Sequence, residues 1–234
     1  MTIRWVTGFL DSPAGLAAAG ERFWLAVTGS VMSPRRGGGT FATLLPPAGD
    51  PWLRVQVVGD GPARTHLDLH VDDFAGFEVP GARVVDRQDD VMVLRSPAGI
   101  VFCVVPWSGE KIVALDRSAV VDQVCLDIPD QLYEVEAAFW TALTGWARTP
   151  SGAPEFEHLT PPPTLPMKLL LQRVGAGPAG MHLDWACTDV PGEVARHESL
   201  GATVVRRVPG DWTTLRDPAG REYCLTARPP RRPG

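Results

Sequence analysis

ERFWLAVTG (residues 21–29) and AAFWTALTG (137–145) are one stretch written twice. Phe23, Trp24 and Gly29 fall on Phe139, Trp140 and Gly145, each 116 positions further on. The same offset carries Asp11 to Asp127, Gln56 to Gln172, His66 to His182 and Asp68 to Asp184. Later it grows to 121, where Arg95-Ser-Pro-Ala-Gly99 falls on Arg216-Asp-Pro-Ala-Gly220 and Cys103 on Cys224. One alignment with a single change of length identifies a tandem repeat of about 115 residues.

The length change lies in TDVPGEVARHESLG (188–201). This reads as a helix capped by Thr188 or Asp189 and stopped by Gly201, with Val190, Val194 and His197 on one face. The first copy has DDFAGFEVPG (72–81) there, and its Pro and two Gly shorten or abolish the helix. Each copy divides again. An apolar strand, a helix and two strands come first. A strand beginning at His66 or His182, the variable helix and three more strands follow. In the first helix Ser12 is the expected N-cap and Leu16, Phe23 and Val27 the buried stripe. In its counterpart the cap is Asp130 and the stripe Leu132, Val135, Phe139 and Leu143. The fold class expected is α+β: two domains, 1–107 and 119–228, each of two βαβββ modules forming a cupped mixed sheet. Residues 108–118 read as a linker and 229–234 as a tail.

The bulk numbers exclude some partners. The 234 residues carry a net charge of −5 without a basic face, so nucleic acid is not an expected partner. No apolar run is long enough to span a membrane, and the first residues do not read as a secretory signal, so a cytoplasmic location is expected. Cys103, Cys125, Cys187 and Cys224 form no C-x-x-C pair and read as buried free thiols.

F-W-x-A-L-T-G (139–145), H-L-D (182–184) and L-R-D-P-A-G-R-E-Y-C-L (215–225) resemble the glyoxalase-like branch of the vicinal oxygen chelate superfamily. That superfamily also holds bleomycin-resistance proteins and extradiol dioxygenases, and the resemblance covers nearly the whole chain in two copies. It implies paired modules whose curved sheets enclose a ligand. The metal-binding members use a His on the first strand of a module and a Glu near the end of its last strand. On that pattern His66 and His182 match the His of the second modules, while Cys103 and Cys224 stand at the Glu position. Gln56 and Gln172 fall near that position in the first modules. Where the partner His would be stand Arg4 or Trp5, and Val120 or Val121. With half the ligand set replaced, no metal or other cofactor is expected.

Alternate strand residues share a face, so His66, Asp68 and His70 line up in one copy, and His182 and Asp184 in the other. An Asp beside an imidazole suits proton transfer, and the same pair also serves simply to satisfy two buried polar groups. Trp5, Trp52, Trp107 and Trp212 lack aromatic counterparts in the other copy and are candidates for lining a cup. Trp24 and Trp140 read as fold residues. Glu222 shares a strand face with Cys224, and the Pro-rich stretch 148–166 reads as a cover over one cup. Three functions follow. The first is metal-free binding of a small aromatic or hydrophobic molecule, as in sequestration or resistance. The second is a metal-independent lyase, isomerase or cyclase using a His/Asp pair. The third is a metal-dependent lyase or dioxygenase. Enzyme and binding protein both stay open. Fusion of two copies predicts a monomer with an internal pseudo-dimer. The second copy is the one expected to hold ligand, near His182, Asp184, Trp212 and Glu222.

Overall fold

The computed structural model describes residues 2–113 and 117–231, so the middle of the expected linker and the last three residues of the expected tail lie outside the described residues. The first copy runs β1 (Ile3–Pro13), α1 (Ala14–Thr28), β2 (Val31–Met32), β3 (Phe41–Leu45), β4 (Leu53–Val58), β5 (Arg64–Val71), β6 (Arg83–Arg87), β7 (Met92–Arg95) and β8 (Val101–Pro106). The second runs β9 (Ala119–Ile128), α2 (Tyr133–Thr144), β10 (Ala147–Pro150), β11 (Phe156–Thr160), β12 (Lys168–Arg173), β13 (Gly180–Cys187), α3 (Val190–Ser199), β14 (Thr203–Val208), β15 (Trp212–Arg216) and β16 (Glu222–Ala227). Each copy makes one eight-stranded mixed sheet, in the orders β2-β3-β4-β1-β5-β8-β7-β6 and β10-β11-β12-β9-β13-β16-β15-β14. The leading strands of the two modules, β1 with β5 and β9 with β13, pair antiparallel at the centre, and each then pairs parallel with the last strand of its own module. The expected α+β repeat is therefore present.

Alternation along the central strands separates two faces. Leu67, Leu69 and Val71 on β5 and Leu183, Trp185 and Cys187 on β13 are buried apolar residues, and the sheets stand back to back on these faces. The approach is close enough to need Gly8. A Cβ there would lie 3.2 Å from Leu183 and 3.3 Å from Leu53. The opposite faces carry the polar rows and form the two cups.

The first helix of each copy packs against the other copy. In α1, Phe23 meets His197 and Tyr223, and Trp24 meets Trp185 and Tyr223. In α2, Phe139 and Trp140 pack on Phe102. This exchange corrects the predicted stripes: Leu16 and Val135 are 44% and 52% exposed, while Tyr133, Glu136 and Trp140 are buried. Ser12 and Asp130 do not cap either. Helix α1 begins after Pro13, and Ser12 Oγ accepts a bond from Arg221 at 3.0 Å. Asp130 lies in a short 3-10 turn and receives Gly175 N–H at 3.2 Å. Gly29 and Gly145 do end their helices, in the left-handed region. Asp189 caps α3 through Gly192 N–H, and no helix forms over 72–82.

The two helix indoles in these junctions each find a carboxylate, from opposite sides. Trp24 Nε1 donates to Asp217 on the D-P-A-G turn at 2.7 Å. Trp140 Nε1 donates to Glu136 on its own helix at 2.7 Å, and the second Glu136 oxygen accepts from Ala98 N–H in the S-P-A-G turn. Asp217 is also paired with buried Arg221 at 2.6 Å, which reaches Asp11 O and Arg64 O in the first copy. The indoles of Trp24 and Trp140 and the carboxylates of Asp217 and Glu136 are thus satisfied, as burial requires.

Candidate active site

The floor of each cup is a histidine between two aspartates. In the second cup His182 on β13 stands opposite Cys125 on β9, and Asp184 opposite Gln123. His182 Nδ1 lies 2.9 Å from Asp127 Oδ2 in a proper hydrogen bond. Its Nε2 has a 3.3 Å contact with Asp184 Oδ1, an oxygen that makes no hydrogen bond among the described residues. The other oxygen, Asp184 Oδ2, accepts from Gln123 Nε2 at 2.5 Å. One ring nitrogen is thus anchored and the other is lightly held. Burial of the ring works against its charge. Cys125, Asp127 and Asp184 act the other way, and the pKa is raised well above the ordinary histidine value. Burial also pushes the Cys125 thiol up, so it is neutral at pH 7 and the lasting attraction comes from the two carboxylates.

The first cup repeats the core of this arrangement. His66 Nδ1 is 2.8 Å from Asp11, and Nε2 is 3.5 Å from Asp68. Burial again opposes the charge, but the bonds from Asp11 and Asp68 prevail and raise His66 to about 9. Around the dyad the two cups differ. Phe9 stacks on the His66 ring at 4.5 Å, Phe41 meets Phe9 edge-on, and the Arg54 guanidinium lies 5.8 Å from the Phe9 ring. By strand register the second cup has Cys125 and Leu170 in place of Phe9 and Arg54. His70 does not join His66 in one cluster. Its Nδ1 lies 3.2 Å from Glu110 and its Nε2 2.9 Å from Thr7.

The second cup opens into a cavity of about 1290 Å³. His182, Asp184, Cys224, Gln172, Trp212 and Glu222 line it, as do Asp127, Cys125 and His158, and at one edge it reaches Arg64, His66 and Arg95 of the first copy. Glu222 stands at the rim, paired with Arg216 at 2.7 Å. Trp212 packs edge-on against Phe156. Among the remaining predicted residues, Trp5 and Trp52 belong to the core. Trp5 is fully buried, and Trp52 Nε1 donates to Val121 O at 3.0 Å, so neither presents a face to that cavity. Trp107 is covered by the Arg4 guanidinium, and Gln56 does not reach the cavity. The proline-rich stretch 148–166, which reads as a cover over one cup, supplies Ser151, Ala153, Phe156 and His158 to the cavity wall. It contains β11 and the end of β10, an edge hairpin.

Asp11 and Asp127 carry the histidines, yet the sequence reading gave them no chemistry. Their match across the repeat was the available signal. The positions facing the histidines on the leading strands are Phe9 and Cys125, not Trp5 or Val121, because the cross-strand register falls further along. Three sets of donor atoms each lie within 4.8 Å of one another: His66, Asp68 and Cys103; Cys125, Asp127 and His182; His182, Asp184 and Cys224. The expectation that the cups hold no metal finds no support in this geometry.

Paired βαβββ modules around a polar-floored cup define a class of small-molecule sites. The glyoxalase-like domain family model matches twice, over residues 9–105 and 123–226, and the chain belongs to that family. No curated protein matches it. Among solved structures it is similar to the Mn(II)-bound glyoxalase from Novosphingobium aromaticivorans, with TM-score 0.65 and 16% identity over 97% of this chain and 83% of that one. It is also similar to 2,2',3-trihydroxybiphenyl 1,2-dioxygenase from Sphingomonas wittichii strain RW1, with TM-score 0.61 and 14% identity over 96% of this chain and 90% of that one. At such identities the likeness speaks for the fold.

Proposed function

We propose that the chain is an enzyme of lyase or isomerase type acting on a small molecule in the second cup, with His182 as its acid. One observation carries this reading. His182 is anchored through Nδ1 by Asp127 and keeps its Nε2 free of a proper hydrogen bond beside an open cavity. Against the cost of burial, Asp127 and Asp184 hold the ring's pKa well above its ordinary value and so favour its protonated form. From Nε2 the ring delivers that proton, or a charge-assisted bond, to a substrate oxygen that gains negative charge. Gln123 Nε2 holds the other oxygen of Asp184 and so fixes this carboxylate beside the ring. A metal-free binding protein needs none of this, which favours the enzyme over sequestration. The glyoxalase and the dioxygenase similar in fold are, by name, also enzymes of small molecules.

A second reading rests on the donor atoms of His182, Asp184 and Cys224. One imidazole, one carboxylate and one thiolate suit zinc better than the oxygen-seeking Mn or Mg. Asp184 Oδ1 and Gln123 Oε1 are buried oxygens without a hydrogen-bond donor, so the floor fits a cation. These residues would hold it, and it would supply Lewis-acid polarisation of a substrate oxygen. Histidine nitrogen NMR with metal analysis of the dialysed protein decides between the two. The acid reading expects His182 doubly protonated at pH 7.5 and less than about 0.2 equivalents of metal. A stoichiometric metal on His182 overturns it.

A further inference from the structure

We infer that the end of the second cup next to the C-terminal residues is a subsite for an anionic group of the ligand, held by Lys168, Arg228 and His158. The inference rests on the second cup being the working one. Lys168 begins β12 on the strand face of Leu170 and Gln172. It stands just outside the cavity lining, within Coulomb reach of His158 and Arg228, which do line the cavity. It makes no ion pair among the described residues. Arg228 closes the end of β16 and lines the cavity beside His158. Its guanidinium grips Asp122 through two bonds, of 2.8 and 2.5 Å. Arg231 N–H reaches the same carboxylate at 3.3 Å, and Arg231 Nη1 is buried without a partner among the described residues. His158 Nδ1, in the cavity wall, is likewise buried and unpartnered among the described residues.

Lys168, Arg228 and Arg231 therefore lie near one another around a single ion-paired carboxylate, Asp122, which Arg228 holds, in a protein whose net charge is −5. The neighbourhood behaves accordingly. Burial, with Arg228 and Arg231 against Asp122 and Asp184, brings Lys168 down to about 8. Burial, Lys168 and Arg228 bring His158 down to about 4, against a weaker pull from Asp184. Partly buried like charges with unfilled donors are costly unless something negative arrives. The repeat supplies an independent check. At the equivalent positions the first cup has Trp52 for Lys168, Thr43 for His158 and Trp107 for Arg228. The basic end is thus a property of one cup and not of the fold.

The ligand class that fits is a small organic molecule bearing a carboxylate or a phosphoryl-type group. The acid His182 then faces the rest of that molecule. The experiment is calorimetric titration of the full chain with benzoate and with sulfate at pH 8, in two buffers of different ionisation enthalpy. Either anion should bind near one equivalent with net proton uptake, because a bound anion raises Lys168. Tighter benzoate marks a carboxylate site, and tighter sulfate a phosphoryl-type site. Lys168→Met, with Lys168→Gln as the second variant should Met disturb folding, should weaken binding about tenfold or more and remove the uptake. His182→Gln should leave anion binding within about twofold, since it touches the proposed chemistry and not the subsite. Binding of neither anion overturns the subsite, as does binding indifferent to both Lys168 variants. Loss of anion binding in His182→Gln would instead place the anion on the floor and overturn it too.

Discussion

The two cups keep one dyad and differ in what surrounds it. In the first, Asp11 is shared between His66 and Arg64, and its side chain is fully buried. In the second, Asp127 serves His182, and its side chain is 25% exposed; the position of Arg64 is Gly180. Phe9 and Arg54 fill the first floor where Cys125 and Leu170 leave room in the second. His70 and Trp107 add bulk where the second copy has Ala186 and Arg228. The segment after β8 also folds back over the first cup, with Glu110 on His70 and Lys111 N–H on Asp50. The lesson is that a duplicated polar pair does not by itself mark a duplicated site. In one copy it lies under an aromatic ring and only the edge of its histidine meets the cavity, and in the other it forms the cavity floor.

That contrast breaks most readily at the histidines. His182→Gln should lower turnover by at least about 100-fold, the scale of a lost acid, and His66→Gln by less than about twofold. Steady-state kinetics on both variants, with folding checked by thermal midpoint, provides the measurement. The reverse outcome would move the chemistry to the first cup. The next test concerns packing. Phe9→Ala should cost about 3–5 kcal/mol in denaturant unfolding, since it empties a buried ring position. The reciprocal Cys125→Phe should cost about 1–3 kcal/mol and block ligand binding. A Phe9→Ala cost under about 1 kcal/mol would mean that the first floor is not closed by this ring.

The repeat made the fold legible, because two noisy copies of one pattern fix strand order and turns together. The helix faces were not legible in the same way. Leu16 and Val135 fit a stripe meant for the helix's own sheet, whereas Trp24, Glu136 and Trp140 answer to turns in the other copy. No periodicity within one repeat reports on that exchange. At the site, the His/Asp rows were visible from alternation, and Asp11 and Asp127 from the repeat match. What escaped was depth. Trp5 and Trp212 look alike as unmatched strand aromatics, but one lies under its neighbours and the other at an open rim.

The first dyad should declare itself through pH. His66 has a folded value of about 9 against an ordinary 6.5. A raised histidine lends stability that is complete below about 6.5 and is lost as pH rises through about 9. The size is on the order of 3 kcal/mol for this one group. Unfolding free energy should therefore fall between pH 6.5 and 9, and His66→Gln should flatten the slope by its share. His182 adds in the same direction, so a slope that His66→Gln leaves untouched would assign the whole effect to the second cup.

The smallest effect concerns the closure of the first cup. Glu110 lies in the segment after β8, and its carboxylate takes Ser108 N–H at 3.0 Å as well as meeting His70. Burial works against its ionisation, but the bond to His70 and the backbone donors outweigh it and bring the pKa down to about 2. A depressed carboxylate lends stability that is present above its ordinary value of 4.5 and is lost as pH falls through about 2. Because the group is close to the surface, solvent screening limits the contribution to less than about 1 kcal/mol. Glu110→Gln should accordingly lower the thermal midpoint at pH 6 by a few degrees at most, about 2–4 °C per kcal/mol at this chain length. The same substitution should do almost nothing at pH 2.5, where the native carboxylate has lost most of its advantage. It should leave ligand binding in the second cup unchanged. A midpoint shift as large at pH 2.5 as at pH 6 would mean that the segment is held by its backbone and that the ionised Glu110 plays no part in closing the cup.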